Sequence, residues 1–149
     1  MRAGVIRASA LALVAALAVA LAATAEAKVR APDGEYTGPR NLVMSVSGKT
    51  IDIIAFNFPC RKHPNAHGRT SLNSIALRKT DHGYKFSTKQ FGIVSYSNDH
   101  VDQNGVTSIS GQWGRKGGFV RGRFLSSTPY CGATDKLDWK ANRAKDQAR

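Results

Sequence analysis

Acidic side chains are scarce in this chain. Asp and Glu together number 10 against 22 Lys and Arg, and past residue 27 only one glutamate, Glu35, remains. General acid–base hydrolysis of a phosphodiester wants a His–His or Glu–His pair with a cation near the phosphate. Nothing in the sequence places Glu35 beside His63, His67, His82 or His100. A Gly-x-Ser-x-Gly elbow, a phosphate-binding loop and a dinucleotide fingerprint are all missing, so the motif-borne classes of hydrolase, nucleotidase and dehydrogenase have no support. No cofactor is expected. The chain also lacks internal repeats, any sustained helical periodicity past the first residues, and a second apolar stretch long enough to span a bilayer.

The one long apolar run stands at the start. Arg2 and Arg7 precede Ala8 to Ala23, built almost wholly from Ala, Leu and Val, and Ala25-Glu26-Ala27 follows with the small-x-small form that signal peptidase accepts. Charged start, apolar middle and small-residue exit describe a secretory signal peptide over residues 1–27. The run is shorter than the roughly 20 residues a membrane-spanning helix needs, which disfavours an uncleaved anchor. No cysteine lies near the cleavage region to carry a lipid. The expected product is a secreted or cell-envelope protein with no integral membrane association, comprising one domain over residues 28–140 and a basic flexible tail over 141–149. Taking Arg2, Arg7 and Glu26 away from the totals of 22 and 10 leaves it 11 charges positive. Such a surplus favours anionic partners: cell-envelope polymers, phospholipid headgroups, acidic polysaccharide, or nucleic acid through non-specific charge.

Only two cysteines are present, Cys60 and Cys131. In an oxidising compartment such a pair normally closes into a disulfide. Two reduced thiols, or a metal site using both, are the alternatives.

Between residues 34 and 140 the pattern is one of short β-favouring runs punctuated by Gly, Asn, Asp and Pro. β-favouring runs over 35–38, 41–47, 50–58, 71–79, 84–86, 91–96, 106–113, 119–125 and 136–139 predict about eight short strands separated by turn signals. Polar loops are expected over 61–69 and 97–105. Gly83 suits the positive φ of a tight hairpin after Thr80-Asp81-His82. In the run from Thr50 to Phe58, Ile51, Ile53 and Ala55 alternate with Ile54, Phe56 and Phe58, which predicts a strand covered on both faces. Short strands with Gly-rich turns predict an all-β domain, either an antiparallel β-sandwich or an up-and-down β-barrel. A hollow barrel holding a small apolar ligand is compatible with the second form.

Several residues carry a resemblance. Gly34-x-Tyr36-x-Gly38 opens the domain, Phe58-Pro59-Cys60 ends a strand, and Ile109-Ser110-Gly111 and Gly118-Phe119-Val120-Arg121-Gly122 follow. Cys131 and Leu137-Asp138-Trp139-Lys140-Ala141 close it. In this frame the chain resembles a group of small exported bacterial β-domains with an opening Gly-x-Tyr-x-Gly and a closing Cys followed by Trp-x-Ala. The resemblance spans most of residues 34–141 and implies a β-fold and a disulfide, but no chemistry. One departure from it is the basic, histidine-containing stretch from Arg61 to Arg69.

Two side-chain constellations follow. Trp113, Arg115, Lys116, Arg121 and Arg123 fall on one expected hairpin, with Arg121 and Arg123 two apart and therefore on the same face of a strand, in register with Phe119. Guanidinium groups hold phosphate, sulfate or carboxylate in two-pronged fashion, and a nearby indole can stack on sugar or base. With Arg61, Lys62 and Arg69 they make a candidate anion-binding face; the alternative is an ordinary solvated sheet face with Trp113 in the core. Trp139 is expected in the core. His63 and His67, four apart, are a weak metal-ligating alternative, disfavoured by Pro64 and the neighbouring cations. The expected function is therefore a non-catalytic β-domain binding an anionic or carbohydrate ligand at the cell envelope, with a small secreted hydrolase, nuclease or glycan-acting, as the alternative.

Overall fold

The computed structural model describes residues 29–145. The expected signal peptide lies outside the described residues, as does the end of the tail from 146 onward. Ten strands follow in chain order: β1 (Gly34–Gly38), β2 (Leu42–Ser47), β3 (Thr50–Pro59), β4 (His67–Ala76), β5 (Arg78–Thr80), β6 (Gly83–Tyr96), β7 (Val101–Trp113), β8 (Phe119–Thr128), β9 (Gly132–Ala133) and β10 (Leu137–Arg143). Successive strands pair antiparallel in the order β1-β2-β3-β4-β6-β7-β8, and β10 then pairs with both β8 and β1. The sheet thereby closes into an eight-stranded antiparallel barrel. Of the two architectures expected, it is the up-and-down barrel, and closure removes the exposed edges a sandwich would leave. β5 prolongs β4 along the start of β6, and β9 adds a short bridge to the end of β8.

Period-two alternation builds the wall. Leu42, Met44 and Val46 on β2 point inward, as do Ile54, Phe56 and Phe58 on β3 and Val120 and Phe124 on β8. An eight-stranded barrel has an interior just wide enough for side chains to fill. Here Tyr36, Met44, Ile54, Phe58, Ile109, Trp113 and Val120, all essentially without exposure, fill it. A cleft of about 20 Å³ lined by Leu42, Phe56, Ile109, Phe124 and Trp139, among others, has room for about one water. The hollow, ligand-holding barrel is therefore not what forms.

Four local expectations need correction, each for a physical reason. β3 is covered on both faces only at Ala55, which is buried on the outer side: an extra residue opposite the Ser45–Val46 step puts Ile51 and Ile54 on the inner face and leaves Ile53 42% exposed. The expected strands over 84–86 and 91–96 are one strand, β6. Its middle reads as a break because Thr88 and Gln90 are polar at half-buried inward positions. There the pairing of β4 with β6 stops after Thr70–Val94, and the Gln90 amide spans the gap, donating to the Asn73 carbonyl at 3.0 Å. The expected loop over 97–105 is strand from Val101 onward, with Asp102 turned inward. Finally, β10 runs to Arg143, so residues 141–143 belong to the barrel, and Ala141 is fully buried.

The hairpin glycine behaves as expected. Gly83 has φ 147°, and a Cβ there would strike the Trp113 carbonyl oxygen. Cys60 and Cys131 form a disulfide with Cα atoms 4.8 Å apart, tying the end of β3 to the segment after β8.

Candidate functional site

The meander runs the chain back and forth between two mouths, and this separates the basic residues. The turn holding Arg115 and Lys116 follows β7 at the mouth where β1 begins. Arg61 and Lys62 follow β3 at the opposite mouth, beside the disulfide: the Lys62 amide donates to the Cys131 carbonyl at 3.2 Å, and Arg61 lies 3.9 Å from Asp135. Arg69 is an exposed residue of β4, between Asn57 on β3 and Ser95 on β6. The single anion-binding face expected from all these cations is therefore split between the ends of the barrel.

Trp113 also needs reassignment. It is fully buried, edge-on to Tyr36 at 5.8 Å and tilted against Phe86 at 5.6 Å, so it supports the barrel from within and offers no ring to a ligand outside. Trp139 is buried too, tilted against Phe86 at 6.2 Å.

Arg121 and Arg123 remain, and the register shows what surrounds them. Three outward rows cross β6, β7, β8 and β10. The first is Lys85–Gln112–Arg121–Lys140, the second Ser87–Ser110–Arg123–Asp138, and the third begins Lys89–Ser108–Leu125. Lys136 on the approach to β10 lines the same region as Leu125. β7 supplies only the short or neutral side chains Ser108, Ser110 and Gln112, while β6 and β8 supply long cations on either side. The result is a groove along β7 with Lys85 and Lys89 on one wall and Arg121 and Arg123 on the other. It holds an open hollow of about 540 Å³ around Lys85, Gln112, Arg121 and Arg123. A second hollow of about 210 Å³ shares Ser110 and Arg123 and reaches Leu125 and Lys136.

The inward row beneath, Phe86–Gly111–Gly122–Trp139, explains the flat floor. A Cβ on Gly111 would come within 2.5 Å of the Phe86 ring and 3.0 Å of the Trp139 indole, so only glycine lets the two rings meet under the wall. With Lys136 counted beside these rows, six cations face one carboxylate, Asp138, which stands 3.4 Å from the Arg123 Nε in an exposed pair. Exposed pairs of this kind are worth little, so Arg123 keeps most of its capacity to bind an anion. Sequence alternation alone had the signal for Lys85 and Lys89, which share the outward phase of Ser87; the β6–β7–β8 register was needed to place Lys85 across Gln112 from Arg121 and Lys89 on the same wall, across Ser108 from Leu125.

The mouth beside the disulfide carries a second polar assembly that the sequence did not reveal. The Tyr96 hydroxyl donates to Asp102 Oδ2 at 2.8 Å and lies 2.6 Å from Thr128 Oγ1, which accepts from the Cys131 amide at 3.0 Å. The Tyr130 amide donates to the same Asp102 oxygen at 3.2 Å, and His100 Nε2 is 3.5 Å from the other. Burial would raise the Asp102 carboxyl, but the donors from Tyr96, Tyr130, Thr128 and His100 outweigh it and hold the group below the usual carboxylate range. Burial pushes the Tyr96 hydroxyl up to about 12. Tyr130 is sandwiched, with His63 stacked at 4.1 Å and His100 at 4.1 Å.

His63 is thus engaged with a ring, while the His67 backbone amide donates to Ser97 Oγ at 3.1 Å. Among the described residues no group of three or more His, Cys, Asp or Glu is gathered as a metal site requires. This assembly satisfies its own members, and its geometry is that of a plug. Set against protein-family models, curated proteins and solved structures, the chain matches none.

Proposed function

We propose that this chain is exported with loss of its leader, and that the barrel is a non-catalytic binding module for an extended anionic ligand at the cell envelope, held along the β7 groove. The groove's composition carries the reading: cations on β6 and β8 flank a floor of Ser108, Ser110 and Gln112. Residues two apart on a strand repeat every 6.5–7 Å or so, which sets Arg121 and Arg123 one such step apart on β8 and Lys85 and Lys89 two steps apart on β6, cations spaced along both walls for a ligand with repeated negative charge. Serine and glutamine between them supply hydrogen bonds to ligand hydroxyls, as an acidic polysaccharide or an anionic headgroup with a polyol carries. The resemblance to small exported bacterial β-domains is in keeping with this setting, and so is the disulfide.

The test separates the groove from bulk charge. On a sulfated polysaccharide column, Arg121→Ala/Arg123→Ala is expected to elute at clearly lower salt than the parent chain. Arg115→Ala/Lys116→Ala, with the same loss of charge at a barrel mouth, is expected to move far less. Equal shifts for the two double variants would reduce the interaction to net charge and remove the groove from consideration.

A further inference from the structure

The groove does not end in polar surface. Two residues beyond Lys89 on the same outward phase of β6, Phe91 is 74% exposed and Ile93 60% exposed, the two most exposed large apolar side chains among the described residues. Phe91 faces half-buried Val106 on β7. Leu125, 37% exposed, stands across Ser108 from Lys89, and Val101 opposes Ser95 just past Ile93. These residues form an apolar band over the half of the β6–β7–β8 face nearest the disulfide, while Lys85, Arg121, Arg123 and Lys140 occupy the other half. Scattered apolar residues on a surface need no explanation, but a band beside six cations and one carboxylate does.

We propose that this face docks on an anionic lipid surface, with the cations of the groove among the headgroups and Phe91 and Ile93 entering the boundary with the acyl chains. The proposal rests on the anion-binding reading of the groove and assigns its partner. Charge complementarity selects the occupant. A second copy of the chain would set Lys85, Lys89, Arg121, Arg123, Lys136 and Lys140 against the same cations, which repel. A free polymer would satisfy the cations and leave Phe91 and Ile93 in water. A bilayer with acidic headgroups satisfies both halves at once, and surface-lying proteins combine Lys and Arg with Phe and Leu on one face in this manner. The attachment proposed is peripheral: the barrel's interior is packed with side chains, and its outer wall carries the charged rows of the groove beside the apolar band.

The experiment uses residues 28–149, which contain the whole closed barrel and its core, so that the apolar leader does not contribute. Co-sedimentation is measured with vesicles of phosphatidylcholine alone and of phosphatidylcholine with phosphatidylglycerol. The parent is expected to sediment with the second and stay in solution with the first. Phe91→Ser/Ile93→Ser, both at exposed positions, should lose roughly tenfold in partitioning while still eluting from the sulfated polysaccharide column with the parent. In Phe91→Trp the added indole emission should move to the blue on acidic vesicles. Equal sedimentation by the serine variant, or an unmoved emission in Phe91→Trp, would overturn the lipid assignment. Retention on the polysaccharide column without vesicle binding would sink this proposal and leave the groove standing. Loss of Arg121/Arg123 dependence on the column would sink the groove reading itself. An apolar dependence seen only with an acidic protein, and with no vesicle, would transfer the band to a protein partner.

Discussion

The two mouths of the barrel are stopped by different chemistry. Where β1 begins, the plug is neutral: the buried Tyr36 hydroxyl lies 2.9 Å from the Pro32 carbonyl and 2.8 Å from that of Gly117, with the Trp113 indole edge-on beneath. The opposite mouth is held by the Cys60–Cys131 bond and by a carboxylate, Asp102, receiving the hydroxyl of Tyr96 and the amide of Tyr130. Aromatic packing and backbone acceptors do not depend on redox state, and at this mouth pH acts through the Tyr36 hydroxyl, which burial raises. A disulfide and a nearly buried carboxylate depend on both. The groove crosses the wall between these mouths.

The largest effect is expected at the neutral mouth. Trp113→Ala removes an indole in contact with Tyr36 and Phe86 and should cost about 3–5 kcal/mol of stability, read from urea unfolding, with the same loss in oxidised and reduced protein. A loss that shrinks on reduction would mean that the two mouths are not independent.

Next comes the disulfide, which closes a sequence separation of 71 residues. Cys60→Ser/Cys131→Ser, or reduction, should cost about 2–4 kcal/mol by release of the unfolded chain. Amide exchange should accelerate first at Lys62, Thr134 and Cys131, whose bonds cluster there, and last at Gly117. Simultaneous acceleration at both ends would break the distinction.

The smallest effect concerns pH. In the unfolded chain Tyr96 ionises near 10.0, but in the fold burial raises it to about 12, so between those values the unfolded state sheds a proton that the folded state keeps. Stability should therefore be intact below pH 10 and fall as pH rises toward about 12. Tyr36, raised chiefly by burial, pulls in the same direction. Tyr96→Phe should flatten part of this limb and leave the part due to Tyr36. Asp102 acts at the other extreme: its lowered value stabilises above the usual carboxylate range and is lost as pH falls through it, a limb Asp102→Asn should weaken. An alkaline limb unchanged in Tyr96→Phe would show that the network does not hold the second mouth.

Legibility along the chain followed the chemistry of the inward face. Where inward residues are apolar, as at Leu42-x-Met44-x-Val46, the strand is plain in the sequence. Where they are polar for a structural reason, the strand disappears from view. Gln90 spans a gap in the wall, and Asp102 joins a hydroxyl network, so β6 reads as broken and the start of β7 reads as loop. The same limit affected the site. Arg121 and Arg123 share a face by strand period alone, yet Trp113, two residues before Arg115 in the same hairpin, turns into the core, and Arg61 and Lys62 lie at a mouth remote from Arg115 and Lys116. Linear proximity does not say which mouth a loop occupies.

The residues by themselves determined an all-β chain of basic surface, a cysteine pair fit to bridge, and hairpins whose turns need Gly83 and its like, because dihedral preference and period-two burial are local properties. Closure into a barrel, the facing of Lys85 with Arg121 and the gathering of Lys89 and Arg123 along the same groove, and the seating of Asp102 under Tyr96 and Tyr130 were decided only in three dimensions. Each depends on the register between strands distant in the chain, which is set by how all the inward side chains pack together.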